Sequence, residues 1–254
     1  MATKTFHVLN TTAVTPNYFG SLQEGGSAPS AALSAFGNTV AKTAVTTPYW
    51  RARLGATATA TVANAASQID STSGPTKGTG SGNTTAGDSF ISPVRYFGDF
   101  AAGNWAFSFG MRSGANTTVG RIRCRVWASA NADGSSARIL SSSTLVGTTV
   151  TMNSTSTTFA STVTWSAPAI TLVGEYLFFQ VEWQETTAGT ANGCTAQFYQ
   201  SACTIITTDF VPAKLTKVKH AGTWKLPTAI YAKNAGAWKT ATMFVRDGGV
   251  WKQV

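Results

Sequence analysis

Three stretches in the middle of the chain alternate with a period of two, and that period decides what the chain can fold into. Trp105, Phe107, Phe109 and Met111 alternate with Ala106, Ser108 and Gly110. Arg121, Arg123 and Arg125 share one parity, and Ile122, Cys124 and Val126 the other. Leu177, Phe179, Val181 and Trp183 alternate with Tyr176, Phe178, Gln180, Glu182 and Gln184. Successive side chains of a strand point to opposite faces, so each run acquires one apolar face as a strand. Turn signals divide the runs: Ser113-Gly114-Ala115-Asn116, Asn131-Ala132-Asp133-Gly134, and the Gly/Asn-rich residues 188–193. Further strands are expected at 137–140, 145–152, 161–166 and 203–210. Seven or more short strands at this spacing predict an all-β fold, with a jelly-roll-like β-sandwich over residues 88–212.

The first 87 residues read differently. One short apolar stretch, Thr5 to Leu9, leads into turn-rich sequence, and residues 71–87 are a Gly/Ser/Thr-rich linker by composition. Residues 48–54 and 56–62 look strand-like, and the alanines around 31–35 and 63–66 suggest short helices. Residues 1–87 are therefore expected to be an N-terminal arm and linker.

The end of the chain repeats one unit three times. Val218 to Lys225, Ala232 to Lys239 and Val245 to Lys252 each run basic residue, then His, Asn or Asp, then Ala or Gly, Gly, one more residue, and Trp-Lys. Asn and Asp tolerate turn geometry, and Gly supplies positive φ in a tight loop, so each unit predicts a small hairpin. Residues 213–254 should form an array of such hairpins. A segment this small does not bury three tryptophans alone, so the units must stack on one another, on the rest of the chain or on another chain. The interaction candidates are Trp224, Lys225, Trp238, Lys239, Trp251 and Lys252.

Charge follows the same division. Residues 211–254 hold eight Lys/Arg against one acid, Asp247, whereas residues 1–210 hold eleven against nine. A basic tail is either an electrostatic foot for an acidic partner or a set of lysines that keeps short edges soluble. Nucleic acid is the weakest partner class, because no Arg-rich, aromatic-interleaved groove is legible. The chain opens on MATKTFHVLN without a signal-peptide pattern, and no run approaches the roughly 20 apolar residues of a membrane span. Membrane insertion is not expected. Three cysteines, Cys124, Cys194 and Cys203, are an odd number for a closed disulfide framework, so buried free thiols are favoured.

Catalysis finds little support. His7 and His220 lie in different segments, and His220 holds the place that Asn234 and Asp247 hold in the other repeats. No HExxH, CxxC, GxSxG or GxxxxGK[ST] pattern is present. A glycosidase-like carboxylate pair from distant residues such as Asp99 and Glu182 stays open. The reading is a non-enzyme without cofactor or metal. Two other constellations have alternatives. The stripe Arg121, Arg123, Arg125 is an anion- or glycan-binding face, or it pairs across strands with Glu182 and Gln180. Trp105 and Trp183 share a parity with apolar residues and belong in the core. Trp127 shares the parity of the arginines and is expected to be exposed, and Trp165 is undecided. Exposed, these two would offer a sugar-stacking platform.

The repeats resemble the C-terminal ends of structural proteins of tailed bacteriophages, which carry stretches of the form aromatic-x-basic-x-x-Gly-x-Trp-Lys. Here that is Tyr231 to Lys239. The runs 97–100, 161–168 and 175–180, with the Arg-x-Arg-x-Arg strand, resemble a phage virion β-sandwich more loosely. The resemblance covers roughly residues 88–254 and brings no catalytic residues with it. It implies a virion structural component assembled in the host cytoplasm: a tail, neck, collar or fibre-like appendage ahead of a capsid decoration protein. Such a protein acts in assembly or host adhesion, as a homo-oligomer in contact with other virion proteins. The other class to weigh is a carbohydrate-binding module for host surface glycans.

Overall fold

A computed structural model of the chain describes residues 2–12, 19–28, 33–36, 49–53, 74–75, 89–113, 117–141, 143–153, 157–187, 196–213, 218–220, 223–225, 231–234, 237–240, 244–247 and 250–253. All regular structure among them is β. The strands are β1 (Ala2–Thr12), β2 (Gly20–Glu24), β3 (Leu33–Phe36), β4 (Tyr49–Arg53), β5 (Ser89–Ile91), β6 (Tyr96–Phe100), β7 (Gly103–Ser113), β8 (Thr118–Ser129), β9 (Arg138–Ile139) and β10 (Leu145–Val146). They continue with β11 (Val150–Met152), β12 (Phe159–Ala167), β13 (Ile170–Thr187), β14 (Ala196–Pro212), β15 (Val218–His220), β16 (Thr223–Lys225), β17 (Tyr231–Asn234), β18 (Ala237–Thr240), β19 (Phe244–Asp247) and β20 (Val250–Gln253). The chain divides into two compact units, Met1–Val211 and Pro212–Val254.

In the first unit fourteen strands share one hydrogen-bonded sheet. Pairings run in a closed circuit, β1–β2–β5–β13–β6–β14 and back to β1, so six strands make a barrel to which the others are added. β13 is the spine. It pairs with β6 through Ile170–Glu175, with β5 through Phe178–Gln180 and with β4 through Glu182–Gln184. Phe178 is opposite both Ile91 of β5 and Trp127 of β8, so these two strands occupy opposite edges of β13. β7 pairs with β12 without interruption from Gly103–Ala167 to Met111–Phe159, and also with β14.

The period-two runs place their apolar parity in one core. Trp105, Phe107, Phe109 and Met111 of β7, Ile122, Cys124 and Val126 of β8, and Leu177, Phe179, Val181 and Trp183 of β13 are all buried in it. Aromatic rings tie the strands together. Trp105 meets Trp165 edge-on at 5.2 Å and Phe100 at 5.0 Å, and Phe6 meets Phe179 at 5.6 Å. Each such ring contributes about 1.5–3 kcal/mol by leaving water, and edge-to-face contacts add about 0.5–1.5 kcal/mol. A second, smaller cluster of Phe19, Ile91, Trp127 and Phe178 uses the other parity of β8 and β13. The central pair of strands is therefore buried on both faces.

Several expectations change. At the start of the chain β1 pairs with both β2 and β14, and Phe6, Val8 and Leu22 lie in the main core. Its apolar stretch was too short to show a period, and its partners are β2, next along the chain, and β14, some two hundred residues away. Residues 33–36 are strand β3, not helix, because β14 and β4 supply its backbone partners and local helix propensity yields to them. The 145–152 strand is two short pieces, β10 and β11, both paired with β8. The turn at Asn131–Gly134 is present, with Gly134 N–H donating to the Asn131 carbonyl at 3.0 Å and Gly134 at φ +68°. The linker 71–87 apart from residues 74–75, the strand-like residues 56–62, the alanines 63–66 and the turns at 114–116 and 188–193 lie outside the described residues.

The second unit holds three separate two-stranded antiparallel sheets, β15–β16, β17–β18 and β19–β20.

Candidate functional site

The arginine stripe is placed by the register of β8 on β13. Arg121 stands opposite Gln184, Arg123 opposite Glu182 and Arg125 opposite Gln180. Arg121 Nε donates to Gln184 Oε1 at 2.9 Å, and an Arg123 guanidinium nitrogen to Glu182 Oε1 at 2.7 Å. Arg125 donates to Thr144 Oγ1 at 3.2 Å and sits over the Trp127 ring at 5.8 Å. Gln180 Oε1 accepts from Trp127 Nε1 at 3.2 Å. Glu182 is fully buried, and Arg123 and Arg125 are each 8% exposed. Burying a guanidinium is costly unless a counter-charge receives it, and Glu182 supplies one to Arg123. Of the two readings of the stripe, the geometry is that of cross-strand pairing, and these groups are turned to one another rather than to a soluble anion.

The aromatics are likewise internal. Trp127, expected outside, is fully buried, because the segment carrying Phe19 and the loop before β9 cover the second face of β8. Trp165 is 6% exposed and packs on Trp105. Neither indole offers a platform to a sugar. The carboxylates Asp99 and Glu182 are not brought together. Asp99 pairs with Thr171 on β13, and positions 171 and 182 stand about 36 Å apart on an extended strand. Glycosidase pairs are separated by roughly 5–9.5 Å.

The remaining polar chemistry of this unit is mostly paired too. Arg138 grips Glu175 with two bonds, at 2.9 and 2.8 Å, and this grip holds the Glu175 carboxyl below the usual range. Glu24 receives both Lys4 and the Tyr96 hydroxyl. Burial, aided by the Glu24 bond and charge, pushes the Tyr96 phenol far up. Cys124 and Cys203 are buried, with Cys203 Sγ donating to the Gly110 carbonyl at 3.7 Å, and burial, then the charge of Glu182, raises the Cys124 thiol. Cys194 lies outside the described residues. His7 is buried on β1, whereas His220 ends β15 in the second unit. Among the described residues no three His, Cys, Asp or Glu gather as metal ligands, and no helix is long and apolar enough to cross a membrane.

The three hairpins show a match that the sequence reading missed. Trp224 stands opposite Lys219, Trp238 opposite Lys233 and Trp251 opposite Arg246. Lys225, Lys239 and Lys252 stand opposite Val218, Ala232 and Val245. Directly opposed positions share a face of a sheet. Every hairpin therefore has one face with a tryptophan and a cation and another with a lysine and an aliphatic residue. The innermost pairs are His220–Thr223, Asn234–Ala237 and Asp247–Val250, each leaving two residues for the turn. A two-residue loop sets this register, so the signal was available: the basic residue precedes its tryptophan by the same interval in all three units.

The chain matches no protein-family model and no curated protein.

Proposed function

We propose that the chain is a structural component of a bacteriophage particle, a tail, neck, collar or fibre-like appendage that works in assembly or host adhesion. Its first unit would serve as a rigid body, built on a six-stranded barrel with further strands added. Its C-terminal hairpins form an array that makes contact with other molecules. One observation carries this reading: among the described residues the body engages Arg121, Arg123 and Arg125 with Gln184, Glu182 and Thr144 and buries Trp105, Trp127, Trp165 and Trp183, whereas the tail repeats one cross-strand pair of cation and tryptophan three times. Repetition of a contact rather than convergence of reactive groups is the pattern of an assembly or adhesion element. A carbohydrate-binding module working through the body would need Trp127 or Trp165 at the surface, and both are buried. The resemblance of the repeats to those of tailed phages supports the virion setting.

The test is where the chain goes. Particles from cells that produce it are sedimented and probed with an antibody against the body. The expected result is a fixed number of copies per particle. Recovery in the soluble fraction alone, from cells that release particles, overturns the proposal.

A further inference from the structure

We infer that the hairpin tail binds an acidic polysaccharide, through the faces that carry Lys219 and Trp224, Lys233 and Trp238, and Arg246 and Trp251. The inference rests on the tail being a contact element, as proposed above, and names the partner.

Charge disfavours a second copy as the main partner. The tail carries eight cations against one acid. The body is itself slightly basic, with eleven against nine, and three of its acids, Glu24, Glu175 and Glu182, are already in ion pairs. Two tails repel each other, and a body offers a tail no net attraction. The partner that fits is an anion from another molecule.

Periodicity narrows the class. Each of the six tail strands carries one cation, and each hairpin carries one tryptophan in the same register position. Three equivalent stations suit a ligand that repeats, and a folded protein surface does not repeat. Among polyanions, nucleic acid presents a charge about every 1.7 Å of duplex. One cation and one ring per hairpin face is a much sparser pattern. It suits a polymer with an acid on every sugar or every second sugar, a repeat that matches one tryptophan and one cation in opposed register positions of each hairpin. Three weak stations on one chain reinforce one another through effective concentration.

The test uses the full chain with alginate as the polyuronate probe, neutral dextran, and single-stranded DNA as the competing polyanion, followed by calorimetry. The expected result is binding to alginate that weakens on raising salt from about 0.05 to about 0.5 M, with no binding to dextran. Replacing the opposed cations one hairpin at a time (Lys219→Gln, Lys233→Gln, Arg246→Gln) should lower affinity in steps, on the order of 100-fold for the triple variant. The variant Lys225→Gln, Lys239→Gln, Lys252→Gln removes the same charge from the other face and should lose less than tenfold. Its thermal unfolding, compared with the parent chain, shows that three glutamines are tolerated. No affinity for alginate, tighter binding to DNA, equal binding to dextran, or equal loss in the two triple variants each overturns the inference. Particle sedimentation and polymer binding are separate readouts, so the virion reading and the ligand fail independently.

Discussion

Neutralising Glu182 tests whether the arginine ladder holds the body together. Glu182 is fully buried and directly opposite Arg123, which donates to it at 2.7 Å. In Glu182→Gln the side chain keeps its volume and an acceptor oxygen but loses the charge. Removing one partner of a buried pair costs about 3–5 kcal/mol. Arg123 keeps other interactions, which favours the lower end. For a unit of this size 1 kcal/mol moves the midpoint by about 2–4 °C, so the melting temperature should fall by about 6–12 °C. Arg123→Met should cost a similar amount. The double variant Arg123→Met, Glu182→Leu should cost far less than the sum, because no buried charge is left without its counterpart. Urea unfolding followed by tryptophan fluorescence measures all three. If each single variant shifts stability by less than about 0.5 kcal/mol, the value of an ordinary surface substitution, the ladder is not a buried ion-pair network. The stripe then returns as a candidate anion site.

Two further outcomes follow from the geometry. A Cβ at Gly120 would fall inside contact distance of the Gln184 carbonyl oxygen and the Trp183 ring. Gly120→Ala should therefore destabilise the body by about 1–3 kcal/mol or more, read in the same unfolding assay. The Glu175 carboxyl has its folded-state value depressed below 4.5, first by the hydrogen bond from Arg138. Its contribution is present above pH 4.5 and is lost as pH falls through the depressed value. The pair is partly exposed, so the contribution is below about 1 kcal/mol. In Glu175→Gln the fall in stability between pH 5 and pH 3 should be shallower than in the parent chain, and an unchanged slope would contradict the pairing.

The fold class was legible because β periodicity is local. Alternation in 105–111, 121–127 and 175–185 names both the strands and the face that each presents to the main core. The hairpin unit was legible for the same reason, since a two-residue turn and its flanks sit within a dozen residues. Missed elements were those whose structure comes from partners far along the chain. β2 and β5 are short and pair in parallel with each other, and β3 is ordered by β14 and β4. Nothing within five residues of either could announce such a partner.

The candidate sites divide along the same line. Alternation alone put Arg121, Arg123 and Arg125 on one face, and counting alone put the basic charge in the tail. Whether that arginine face meets water or protein depends on what lies across it, and only tertiary structure supplies Gln184, Glu182 and Gln180 in register. Trp127 shows the same limit: its parity with the arginines was correct, but burial of the second face of β8 by Phe19, Ile91 and Phe178 was a fact about distant segments. The sequence determined strands, faces, charge and repeat. The tertiary structure decided which faces are inside, because burial is a property of pairs of segments and no single segment carries it.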